Sequence, residues 1–177
     1  MSDALAWHAP NLAGPPTLVL ASPDFEHEGV IPAVHASARA GGQDLSPALS
    51  WSPPPPGTAQ VLLVIEDPDA PTATPFIHCV ALLAPSVTGL AQGALRAGRP
   101  ADGVRVLRSS TGRGYLGPAP PRSHGRHRYV FELFALARPV RKGSSDAALD
   151  SARPREVLAA AGGVLARGRF DGFYRRG

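Results

Sequence analysis

The chain alternates short apolar runs with proline- and glycine-rich breaks, and the runs are of strand length. Val61-Leu62-Leu63-Val64-Ile65 is continuously apolar, the pattern of a strand buried on both faces. It runs on to Glu66 and stops at Asp67-Pro68-Asp69-Ala70-Pro71, because proline cannot donate to a strand ladder. Phe76 to Leu83 predicts the next strand, and Val104 to Ser109 another. Tyr129 to Ala137 (YVFELFALA) is rich in aromatic and aliphatic residues and alternates, a strong strand pattern. Thr17 to Ala21 reads as a first strand, and Gly29 to Ala36 as a second interrupted by Pro32. Ser46 to Trp51 is a short apolar segment, and residues 52–57 (SPPPPG) form a stiff connector between strands. The alternative, a ligand for a proline-reading domain, is the weaker reading of so short a stretch.

Helical periodicity is confined to the last third. Pro154 suits a first helical position, and Val157, Leu158, Ala161, Val164 and Leu165 follow as one apolar stripe. Gly162 and Gly163 weaken this helix by about 1 kcal/mol each relative to alanine. A shorter helix is expected at Ser145 to Leu149, and Arg169 to Arg175 reads as a last strand. Seven or eight strands with one or two short C-terminal helices predict a mainly β sandwich. Residues 1–16 are proline-rich and read as an irregular N-terminal tail, with a single domain over 17–177.

Composition narrows this picture. With 44% hydrophobic and 18% charged residues in a chain of 177, wholesale disorder is excluded. Glycine and proline supply 39 residues, well above the usual share of about 12%, so turns dominate over long helices. No run approaches the roughly 18 apolar residues of a membrane span. Cys79 is the only cysteine, so no intrachain disulfide forms. The first residues carry Asp3 and no Lys or Arg, unlike a secretory signal, and together these features predict a cytoplasmic protein.

Charge is uneven. Residues 1–95 carry −7 and residues 96–177 carry +11, which make the chain's net +4. Seventeen of the eighteen basic residues are arginine. A nucleic-acid patch is conceivable from charge alone. The arginines are scattered singly, however, with no recognition helix or aromatic platform, and the halves can pair their charges across one fold. No nucleic-acid partner and no integral membrane contact are expected.

Two polar knots could carry chemistry. One is Asp67-Pro68-Asp69-Ala70-Pro71, followed by His78; the other is Gly114 to Tyr129, with His124 and His127. Rigid loops on a β scaffold are where binding groups are usually displayed. Three chemistries fit: a metal site of two histidines and a carboxylate, acid–base or nucleophilic catalysis with an Asp-oriented histidine, and an anion pocket. Against them stands a structural role, in which the aspartates cap turns and His127 satisfies a core hydrogen bond. No HExxH or paired CxxC is present, so the metal signal is weak, and no cofactor is called for. Cys79 adjoins His78, but strand neighbours point to opposite faces, so a dyad between them is not expected.

LSPALSWSPPPPGT, VLLVIEDPDAPT, FIHCVA and GYLGPAPPRSHGRHRYVFELFAL resemble, in order and spacing, the phosphatidylethanolamine-binding protein family, and the bacterial Raf-kinase-inhibitor-like branch in particular. The tail LARGRFDGFYRR is similar to that branch's final strand, so the resemblance covers nearly the whole chain. It implies a large sheet packed on a smaller one, with short helices near the C-terminus. It also implies a small pocket for phosphate-like anions or phosphorylated head groups. Carried over by motif, its lining is Asp67, Asp69, Pro71, His78, Pro120, Pro121, His127 and Tyr129. A cis Ala70–Pro71 bond is implied as well. Cys79 stands where the branch often has Trp, Ser109-Ser110-Thr111 where Asn is frequent, and Gly163 where His often precedes VLAR.

The function expected is a non-enzymatic binding module that modulates partner proteins of unknown identity, and a homodimer is compatible with it. The alternatives are a hydrolase using a pocket histidine as general base, and a kinase or protease inhibitor acting through its surface. No GxSxG nucleophile elbow supports the hydrolase.

Overall fold

The computed structural model of the chain describes residues 4–177. It has nine strands and two α-helices in the order β1 (Leu20–Ala21), β2 (Gly29–Val30), β3 (Leu49–Trp51), β4 (Gln60–Asp67), β5 (Phe76–Leu83), β6 (Gly89–Leu90), β7 (Val104–Val106), β8 (Arg126–Leu136), α1 (Asp146–Ser151), α2 (Pro154–Ala160) and β9 (Val164–Arg175), with 3-10 turns between them. A six-stranded sheet runs β2-β9-β8-β4-β5-β7 and a three-stranded one β1-β3-β6. All pairs are antiparallel except β2 with β9. The expected architecture of a large and a small sheet with short C-terminal helices is therefore present.

The large sheet is covered on both faces, which explains the unbroken apolar run of β4. Its odd-numbered positions Val61, Leu63 and Ile65 pack with Phe131 and Leu133 of β8 and, across the interior, with Leu49, Trp51 and Leu90 of the small sheet. The even-numbered Leu62 and Val64 pack with Phe134 of β8 and with Leu149, Val157 and Leu158 of the helices. Residues 52–57 connect β3 of one sheet to β4 of the other, a spacer's task.

Several boundaries differ from the sequence pattern. The second helix ends at Ala160, and Val164 and Leu165 belong to β9, which starts five residues earlier than expected. The helix stops where Ala161 takes an extended backbone, and Gly163, at φ +69° in the left-handed region, turns the chain into the strand. The expected first strand is cut to Leu20–Ala21, and the expected second to Gly29–Val30 followed by a 3-10 turn at Ala33–His35. The strand expected over Val104 to Ser109 ends at Val106, beyond which Arg108 forms an isolated bridge to Arg113, while β8 begins three residues early, at Arg126. The two-residue β6 was not anticipated.

The segment expected as a tail packs on the body over its described part; residues 1–3 lie outside the described residues. Residues 6–8 and 10–12 are 3-10 turns, and Leu5, Ala6 and Leu12 are buried. Arg167 straps it down, donating to Trp7 O (2.6 Å) and Gly14 O (2.9 Å) while its guanidinium stacks on the Trp7 ring.

Beneath this segment lie two fully buried carboxyl groups, Glu66 of β4 and Glu132 of β8. The Ala6 N–H donates to Glu66 Oε2 (2.6 Å), the Trp7 N–H to Glu132 Oε1 (3.1 Å), and Arg155 Nη2 lies 2.7 Å from Glu66 Oε1. Burial first, and then the Glu66 charge, push the pKa of Glu132 well above the usual carboxylate range, so it holds its proton. Among the described residues, two arginine ion pairs join the acidic half to the basic half, Arg155–Glu66 and Arg128–Glu28.

Candidate functional site

Asp67, the last residue of β4, continues the odd-numbered series and so points away from the helices. Its side chain closes the turn that follows: the Asp69 N–H donates to Asp67 Oδ1 (2.8 Å). No peptide bond among the described residues is cis, so Ala70–Pro71 is trans. Asp67 Oδ2 takes a second hydrogen bond from His127 Nδ1 (2.8 Å), at the start of β8, sixty residues away.

His78 reaches the same place through a β-bulge. Along β4 and β5, Ile65 pairs with Cys79 and Glu66 with Ile77, which leaves His78 as the extra residue. The bulge interrupts alternation, so His78 and Cys79 both lie toward the sandwich interior, contrary to the expectation of opposite faces. No dyad results. Cys79 is fully buried and its thiol is pushed up to about 12 by burial, while His78 Nδ1 donates to Leu116 O (2.8 Å). Burial, the largest influence, lowers the pKa of His78, which is 6% exposed. The ring packs between Phe76 and Tyr129, with centroids 4.8 and 5.1 Å away.

These groups converge. Asp67, Pro71, His78, Pro120, Pro121, His127 and Tyr129 line one cavity of about 700 Å³. Burial and then the Asp67 charge raise the Tyr129 pKa far above its ordinary value, so its hydroxyl keeps its proton. Asp69 is not on the cavity wall; it accepts the Arg128 N–H (2.7 Å) and ties the first knot to β8. His124 is stacked on His127, at 5.8 Å between ring centroids. Thr111 of the departing Ser109-Ser110-Thr111 triplet lines the cavity, and Ser110 Oγ accepts the Ile77 N–H (2.8 Å) beside the bulge.

Sequence reasoning missed Asp44 and Arg39. Asp44 lines the cavity and its carboxylate clamps two loops, accepting from Ala38 N–H (2.9 Å) and Gly117 N–H (2.8 Å). It holds φ +50°, a strained backbone for a non-glycine residue. Gly117 makes the clamp possible: a Cβ there would lie 2.4 Å from Ala36 and Ser37 backbone atoms. The only trace of Asp44 in the sequence is the Gly41-Gly42 turn before it. Among the described residues Arg39 is the only arginine or lysine on the cavity wall, and it sits in a short 3-10 turn, Ala38–Ala40, that the hydrophobic pattern does not mark. Among the described residues no group of three His, Cys, Asp or Glu side chains stands ready to hold a metal.

Known proteins agree with this architecture. Residues 21–175 match the family model described as phosphatidylethanolamine-binding protein. The chain is 34% identical over 165 residues to a UPF0098 protein of Aquifex aeolicus, covering 93% of this chain and 92% of that one. It is 37% identical over 159 residues to a UPF0098 protein of Methanothermobacter thermautotrophicus, covering 86% and 95%. Among solved structures, Escherichia coli YbcL, described as a member of the mammalian PEBP family, superposes with a TM-score of 0.74 at 27% identity, over 89% of this chain and 98% of that one. The chain belongs to the phosphatidylethanolamine-binding protein family.

Proposed function

We propose that the protein is a non-enzymatic binding module for small phosphate-like anions or phosphorylated ligands, held in the Asp67–His78–His127 cavity. The observation that carries this reading is the Asp67–His127 pair. Asp67 accepts from Nδ1, which leaves Nε2 as the free nitrogen of a ring lining the cavity. When the ring takes a proton, Nε2 becomes a charge-assisted donor to an anion, with Asp67 as its counter-charge. A turnover role has less support. Neither histidine hydrogen-bonds a Ser, Thr or Cys among the described residues, and the Cys79 thiol is pushed up to about 12.

Modulation of a partner protein and a cytoplasmic location belong to the same proposal. The second is supported by the single, buried, unpaired cysteine. Among the described residues, no helix is long and apolar enough to cross a membrane.

Calorimetric titration of inorganic phosphate into the wild type and His127→Ala tests the site. A charge-assisted hydrogen bond is worth roughly 1.5–3 kcal/mol, so the variant should bind about 10- to 100-fold more weakly. Equal affinities would reject the assignment. Hydrolysis of a phosphoester that disappears in the variant would replace it with the hydrolase.

A further inference from the structure

The hydrogen on His78 has a place fixed by geometry. Nδ1 lies 2.8 Å from Leu116 O, and a carbonyl oxygen only accepts, so Nδ1 carries the hydrogen. Nε2 is then a bare lone pair unless the ring takes a second proton. The Asp67 and Asp44 charges favour that proton, but neither carboxylate hydrogen-bonds the ring, and burial outweighs them. Asp67 accepts from His127 Nδ1 and Asp69 N–H, and Asp44 accepts from Ala38 and Gly117 N–H. The other titratable groups around the ring offer no anion: His127 and Tyr129 on β8, Tyr115, whose hydroxyl donates to His35 O, and Arg39 on the wall. Burial works in the same direction, against the cation. His78 Nε2 has no hydrogen-bond partner among the described residues, so it is an acceptor in a cavity otherwise read as a receptor for acceptors.

Resting on the anion-binding reading above, we propose that this cavity selects oxyanions that bring their own proton. The form taken is the monoanion of a phosphate monoester. Its P–OH donates to His78 Nε2 while an unprotonated oxygen accepts from His127 Nε2 when that ring carries its second proton. A phosphodiester has no P–OH and sets an anionic oxygen against the His78 lone pair.

Methyl phosphate and dimethyl phosphate, titrated into the wild-type protein at pH 6 and pH 8, separate the two forms. At pH 6 the monoester should bind about 10- to 100-fold more tightly, the effect of one buried acceptor left unmatched. Between pH 6 and pH 8 its affinity should fall about tenfold more than that of dimethyl phosphate, because only the monoester has a second ionisation, near 6. His78→Gln can turn an amide N–H toward the ligand and should narrow the monoester–diester gap; if that variant does not fold, the wild-type comparison decides alone. Equal or tighter binding of dimethyl phosphate at pH 6, or equal falls of the two esters between pH 6 and pH 8, overturns the proposal and leaves the anion-binding reading standing. Binding of neither ester nor inorganic phosphate removes that reading, and the proposal with it.

Discussion

Glu66 and Asp67 are consecutive acids on one strand, and they live in different chemistries. Glu66 faces the helical layer and is sealed by the N-terminal segment, with Arg155, the Ala6 amide and protonated Glu132 around it. Asp67 faces the sandwich interior at the strand's end, where the sheets part and a cavity opens, and its partner is a histidine. The neighbour across the sheet repeats the division: on β8, Glu132 lies on the sealed side and His127 on the open one. The carboxylate on the closed side is covered by the N-terminal segment, held by the Ala6 amide and the Arg155 charge, and is committed to stability. The one on the open side leaves a histidine nitrogen unspent, and an unspent buried donor or acceptor is what a ligand can use.

That division can be broken at its strongest point by Arg155→Ala. The change strands the fully buried Glu66 charge and removes the donors to Ala4 O and Pro75 O. An uncompensated buried charge costs about 3–5 kcal/mol, so the urea midpoint should drop steeply while phosphate affinity of the folded fraction holds. A parallel loss of affinity would show the two sides to be coupled.

Glu132→Gln is the milder probe. Glu132 is an acid whose folded pKa is raised, so its linked stability is fully present below the ordinary carboxylate range and is lost as pH rises above it. Glutamine holds neutral hydrogen-bonding capacity at every pH. The variant should match the wild type at pH 4 and exceed it at pH 8 by on the order of 1 kcal/mol, a few degrees in Tm. A variant less stable than the wild type at pH 8 would mean Glu132 is ionised there.

The smallest effect is expected at the surface, with Glu156→Gln. The Glu156 carboxylate accepts from Arg153 N–H (2.7 Å) at the start of α2, and the Lys142 ammonium beside it, the largest influence, draws its pKa down to about 2. Its contribution is present above the ordinary carboxylate range and is lost as pH falls toward about 2. The variant should therefore be slightly less stable at pH 7, and the difference should vanish in acid, read as Tm against pH.

Much of the fold was legible because strand burial writes itself into apolar runs. β4, β5 and most of β8 follow from Val61–Ile65, Phe76–Leu83 and Tyr129–Ala137 alone. The misreadings share one cause: local pattern was overridden by backbone events that carry no hydrophobic signal. Gly163 converts the end of a helical stripe into the start of a strand. The bulge at His78 puts two neighbours toward one interior. The N-terminal segment, poor in periodicity, is held by side chains far along the chain, Glu66, Glu132 and Arg167.

The same limit applies to the cavity. Sequence by itself determined which residue types stand at strand ends next to proline-stiffened loops, and the motif resemblance collected seven of the eight expected wall residues. Only the tertiary structure decided that Asp69 turns away to hold Arg128, that Asp44 clamps the rim, and that His78 presents a lone pair. Hydrogen-bond direction depends on which carbonyl or carboxylate lies 2.8 Å from a ring nitrogen, and that is set by contacts 38 and 60 residues apart in the chain. Periodicity is a property of neighbours in sequence, whereas a tautomer is fixed by neighbours in space.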